Sequence, residues 1–311
     1  MKNSNRNIIN SIPKCLECID NLKELKKFVD DYTFLVVGRD NIVCKNYVFT
    51  LQTILMSSVL TLENIIECCS CFCLADANTL LRKYRDDLFY CLYIILYDSN
   101  VKKNIKINTS KMESDIEMWC KNSLENLNIG DILKTIGTSP NIIEVSKKYH
   151  LQSSFDTISK TLNNYVHGNG YSFYNRNIYY YNENEIVDFL SVICKNATYI
   201  TVTFIFLLIL CSPLLVMSTD YIDYLDFGET PPEDSQYWVA PFVEKFIKNK
   251  KNISKTHSIK ACSNLMHKNN VSESSSMPRA VLGFLPVRAA LFETSKVPNP
   301  TNWIFSPFFN S

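Results

Sequence analysis

Apolar residues recur along most of the chain at three- and four-residue steps, the period of helices that each bury one face. Ile8, Ile9, Ile12, Leu16, Ile19, Leu22 and Val29 mark the first stripe, over residues 6–30. Pro13 offers a second starting point for it, because the first turn of a helix tolerates proline. Residues 31–45 follow no regular period. The helical pattern resumes with Tyr47, Val48, Leu51, Ile54, Leu55, Leu62, Ile65 and Ile66 and runs to about residue 73. Asp76 or Asn78 can then cap a third helix, whose buried stripe is Leu80, Leu81, Tyr84, Leu88, Cys91, Leu92 and Ile95.

Capping signals divide the next hundred or so residues. Ser110 with Glu113 forms a capping box before Ile116, Trp119, Cys120, Leu124 and Leu127, with a stop expected at Asn128–Gly130. Ser139 before Pro140 opens a short helix to about Tyr149. A second box, Ser153 with Asp156, opens a helix with Phe155, Ile158, Leu162, Tyr165 and Val166 on its buried side, stopping at Gly168–Gly170. The aromatic stretch Tyr171–Tyr181 reads as two short extended pieces around a turn at Asn175–Asn177.

A long apolar stretch starts at Asn184, and no charged residue interrupts it between Lys195 and Asp220. That length matches a bilayer core of roughly 30 Å. It favours a membrane span over residues 196–219, with a central core helix as the alternative and Pro213 as the expected kink. Flanking charges specify orientation weakly and place the N-terminal part in the cytoplasm. The architecture expected is all-α: a helical bundle over 1–183, a long apolar helix over 184–219, a short amphipathic helix within 220–250, and a poorly ordered tail over 251–311.

Composition narrows the function classes. Lysine plus arginine (32) nearly balances aspartate plus glutamate (31), so no global field draws the chain to nucleic acid, and any RNA contact must be local. With only 7 glycines there is no glycine-rich phosphate loop. Met1–Asn10 is polar and lacks the apolar core of a signal peptide, so the 12 cysteines are expected to meet a reducing compartment. Cys15 with Cys18, and the cluster Cys68, Cys69, Cys71 and Cys73, raise zinc, but they sit in helical pattern without paired CxxC spacing. Free buried thiols and no cofactor are expected. His150, His257 and His267 show no metal-ligand spacing.

His167 is the leading chemical candidate. It falls in the last turn of its helix, with Asn163 four positions earlier on the same face. There it can cap its own helix, or, as an imidazolium favoured by the helix dipole, it can meet an RNA phosphate or transfer a proton. Arg82, Lys83, Arg85, Asp86 and Asp87 form a charged patch on the otherwise apolar third helix; such a patch is a structural ion network or part of a site.

The run Leu80–Asp87 on one helix, Trp119 on the next, and Leu162–Gly170 at a later helix end resemble the HEPN superfamily. Its members are helical bundles of bacterial toxin, abortive-infection and antiphage systems, many of them metal-independent ribonucleases. The usual motif is an arginine, a polar residue, three variable positions and a histidine, here matched by Leu162, Asn163 and His167. Leucine stands where the family has arginine. The charged patch on the third helix makes Arg82 or Arg85 the expected source of that cation, with Asp86 orienting His167. The resemblance implies an RNA partner and a site shared across a homodimer, and it spans about residues 45–175. The alternatives are a non-catalytic protein-interaction module anchored at the membrane through residues 196–219 and a soluble structural bundle.

Overall fold

The computed structural model describes residues 2–36, 39, 41–106, 108–123, 128–139, 142–143, 151–177, 182–232 and 239–250. Among them are eleven α-helices and one two-stranded hairpin, so the protein is all-α. Helices α1 (Lys2–Ser11) and α2 (Pro13–Val36) are separate elements that break at Ile12, since Pro13 has no amide hydrogen to continue the first helix. Strands β1 (Asn41–Cys44) and β2 (Tyr47–Thr50) follow, paired antiparallel with Cys44 opposite Tyr47. Then come α3 (Leu51–Ser70), α4 (Leu74–Lys102), α5 (Thr109–Cys120) and α6 (Ile129–Gly137). The remainder is α7 (Leu151–His167), α8 (Tyr171–Asn175), α9 (Glu183–Cys211), α10 (Thr219–Asp226) and α11 (Pro241–Lys250).

The two longest helices, α4 and α9, carry the core, and α2 and α3 complete it around them. In α9, Ile200 to Leu208 is buried without interruption, Phe206 completely. Within that run the Thr201 hydroxyl meets protein partners, donating to the Ala197 carbonyl at 2.9 Å. The Tyr84 hydroxyl lies 2.6 Å from Thr201 Oγ1. The carbonyls left free where the helix ends are taken up elsewhere: Ser99 Oγ donates to the Cys211 carbonyl at 3.0 Å, and Tyr32 donates to Leu215 at 3.0 Å. Pro213 ends the α-helix and opens a short 3-10 turn, Pro213–Val216. Helices α3 and α9 are both long and apolar enough to cross a membrane, with mean hydropathy 1.2 and 1.8 over their most apolar window, of which 44% and 83% is buried inside the fold.

Several expected boundaries are corrected. Tyr47–Thr50 is strand, not helix, and it pairs with part of the segment that showed no period. The alternation of Ile42 and Cys44, both buried, lasts only four residues and merges into the helical stripe of α3. Helix α4 starts at Leu74, ahead of Asp76 and Asn78. Helix α5 ends at Cys120, and Asn128 opens α6 by accepting from the Asp131 amide at 3.0 Å instead of closing α5. Tyr171–Asn175 is a helix where an extended piece was expected. Asn182 and Glu185 form a reciprocal capping box that starts the apolar helix at Glu183. That helix belongs to the same hydrophobic core as the preceding bundle. Most of the helix expected to reach Tyr149, His150, His257, His267, Tyr179–Tyr181 and the tail over 251–311 lie outside the described residues.

Glu117 ties the hairpin to α5. Its carboxylate accepts from Lys121 at 2.6 Å and also pairs with Lys45 of the hairpin turn. These bonds hold the Glu117 carboxyl down at about 2, below its ordinary 4.5. A depressed carboxyl contributes stability above its unfolded value and loses it as the pH falls through the folded one. Glu117→Gln should therefore lower the urea midpoint near pH 6, by an amount that shrinks steeply toward pH 2. Equal losses at both pH values would show that the contact is not ionic.

Candidate functional site

Helix α4 presents its charged turn to the C-terminal end of α7. The Arg82 Nη1 lies 3.4 Å from His167 Nε2, although 85 positions separate them in the chain. Arginine offers only donors, so in this contact Nε2 is the accepting nitrogen and the ring hydrogen sits on Nδ1. Asp86 joins them one turn along α4, with its Oδ2 3.6 Å from Arg82 Nε. Its Oδ1 accepts from Arg85 Nη2 at 2.6 Å and from Arg85 Nε at 2.8 Å, a two-pronged guanidinium contact.

Burial differs sharply across this group. The Arg85 side chain is 2% exposed, while Arg82 and Asp86 are each 26% exposed and His167 faces solvent. Burial pushes the Asp86 carboxyl above the ordinary carboxylate range, opposed by the charges of Arg85 and Arg82. Burial also pulls the Arg85 guanidinium down, but arginine begins so far above neutrality that it stays charged. The group thus forms a gradient: an anchored inner ion pair, a bridging carboxylate, and an outer arginine beside an exposed imidazole.

The segment after α7 sets its position. Gly168 adopts φ +59°, the left-handed conformation that closes a helix. A Cβ there would sit 2.2 Å from the Tyr174 hydroxyl, so glycine is also needed for the close approach of α8. Phe173 of α8 packs edge-on against Tyr165, with centroids 4.8 Å apart. The Asn177 Oδ1 accepts from the Ala75 amide at 2.8 Å, satisfying a donor in the first turn of α4. The chain leaving His167 is thereby pinned to the helix that carries Arg82.

Of the sequence-derived candidates, Arg82, Asp86 and His167 come together, and Arg85 joins through Asp86. Asn163 lies one turn before His167, and its amide oxygen is buried with no hydrogen-bond partner among the described residues. Leu162 is 0% exposed within the core, which explains why the charge at this site comes from α4 and not from α7. The Arg176 guanidinium lies over the Phe189 ring at 4.0 Å. The positioning roles of Tyr174 and Asn177 have no signal in the sequence beyond the glycines at 168 and 170. Among the described residues no three potential metal ligands converge. Compared with known proteins, the chain matches no family model, no curated protein and no solved structure.

Proposed function

We propose that this protein is an RNA-directed, HEPN-like helical protein, a metal-independent ribonuclease of a bacterial defence or stress response. The contact between Arg82 and His167 carries the reading, since it pairs a cation with an imidazole where the chain's own motif has leucine in place of arginine. In the proposed reaction the Arg82 guanidinium turns from His167 Nε2 to the phosphate, and the freed Nε2 takes the proton of a ribose 2′-hydroxyl. The 2′-oxygen bonds to the adjacent phosphorus, and the bond from phosphorus to the 5′-oxygen breaks. The departing 5′-oxygen takes up a proton from water, and the His167 imidazolium returns its own to solvent, leaving a 2′,3′-cyclic phosphate and a 5′-hydroxyl. Arg82 donates to the phosphate oxygens, where negative charge builds up in the transition state. The test is incubation of the full chain with RNA in the presence of a metal chelator. Cyclic-phosphate ends support the reading, and intact RNA overturns it.

A membrane location takes second place. Its support is the length and hydropathy of α9, with α3 weaker. Against it, α9 already has the neighbours a bilayer would replace, because α2 and α4 cover it and Tyr84 pairs with Thr201. For α9 to span a bilayer those contacts would have to open. Carbonate-washed fractions of expressing cells should therefore release the protein to the supernatant. Retention in the pellet, lost when residues 196–219 are deleted, would reverse the ranking.

A further inference from the structure

A cleft of about 570 Å³ opens beside the charged turn, between α3, α4 and α5. Its size is that of a small-molecule site. Thr53 and Ser57 of α3, Asp87 and Tyr90 of α4, and Trp119 and Asn122 from α5 and its end line it. Two aromatic rings, one carboxylate, hydroxyls and an amide form a set suited to a flat heterocycle with polar edges. Phe49 fixes the Trp119 ring edge-on, with centroids 5.5 Å apart and planes at 61°.

Asp87 is the discriminating group. Lys83 pairs with one of its oxygens, and Ser57 bonds to the same carboxylate, so its orientation is set. The Lys83 ammonium also donates to Ser57 Oγ at 3.2 Å, closing a triangle along the cleft wall. An ionised carboxylate accepts about four hydrogen bonds, so capacity remains for a ligand. Guanine offers two adjacent donors, the ring N1–H and the exocyclic amino group, at a spacing that matches two carboxylate oxygens. Adenine and cytosine present one amino group beside an acceptor, and uracil flanks its single donor with carbonyls that repel a carboxylate.

Position ties the cleft to the site. Asp87 follows Asp86 directly, and Tyr90 lies one turn beyond Asp86 on α4. Burial, and then the Asp86 charge, push the Tyr90 phenol up, so Tyr90 senses the carboxylate that Arg82 and Arg85 hold.

We propose that this cleft is a guanine subsite, in which Asp87 accepts from the Watson–Crick edge of the base and Trp119 stacks on its face. The inference deepens the RNA reading and rests on it for its biological meaning, but its binding can be measured apart from cleavage. Calorimetric titration of the full chain with each of the four nucleoside 5′-monophosphates is the experiment. The guanosine nucleotide should bind at least about 10-fold more tightly than the other three. Asp87→Asn should erase that preference, by the roughly 10- to 100-fold expected for a hydrogen bond to a charged group. The far-ultraviolet spectrum and melting point of Asp87→Asn verify that it folds. Equal binding of all four nucleotides, or none, overturns the subsite even if RNA is cleaved. Selective binding by a protein that leaves RNA intact upholds the subsite and overturns the nuclease reading.

Discussion

Purified His167→Ala protein is expected to cleave RNA about 10²- to 10⁴-fold more slowly than the wild type, the usual cost of losing a positioned proton-transfer group. His167 is exposed at the end of α7, so truncation leaves the core untouched and the melting point should hold. Arg82→Ala should lower the rate by about 10²- to 10³-fold, the range for losing one donor to developing charge. Arg82→Lys should restore little of it, because a point-like ammonium cannot hold Asp86 and a phosphate with a planar fork. Rates would be read from cyclic-phosphate product over time. Wild-type turnover by the His167→Ala protein would remove this residue from any catalytic role.

Arg85 should behave in the opposite way, with a large effect on stability. Its side chain is 2% exposed and holds Asp86 through two bonds. Removing one member of a buried pair typically costs about 3–5 kcal/mol, because the remaining charge stays desolvated. Asp86 keeps some solvent and the more distant Arg82, so Arg85→Ala should fall near the low end, about 3 kcal/mol. Replacing both partners with apolar residues of similar volume, Arg85→Met with Asp86→Leu, should recover most of that loss, since neither charge then remains. Urea midpoints of the two variants provide the comparison. If Arg85→Ala unfolded at the wild-type midpoint, the inner pair would have no structural role.

The helical class was legible because long stripes at helical spacing survive local interruptions. The stripe from Leu80 to Ile95 is buried nearly throughout in α4. The hairpin was not legible, because four residues of alternation at Ile42 and Cys44 are too few to stand out beside helical neighbours. Asn128 misled for a different reason. Asparagine followed closely by glycine suits a helix end, yet the same side chain caps a helix start, and only the Asp131 amide decides between them. Residues 196–219 passed a length test that a core helix passes equally well, and burial on more than one side is a property of the neighbours and not of the segment. At the site, Arg82, Asp86 and His167 could be named from residue type and spacing, but their meeting depends on α8 folding back. Gly168 hints at a turn, while the hydroxyl of Tyr174 that lies against it has no local signature.

The place of α9 in the chain bears on how the protein is made. It packs on α2 and α4, both of which leave the ribosome well before it. Roughly a hundred residues separate the end of α4 from the end of α9, or about 5 to 20 s of translation at ordinary speeds. Throughout that interval α2 and α4 have α3 beside them but lack the cover that α9 provides. The nascent chain is therefore a natural client for holding chaperones, and slow codons before α9 would lengthen its exposure to aggregation and proteolysis.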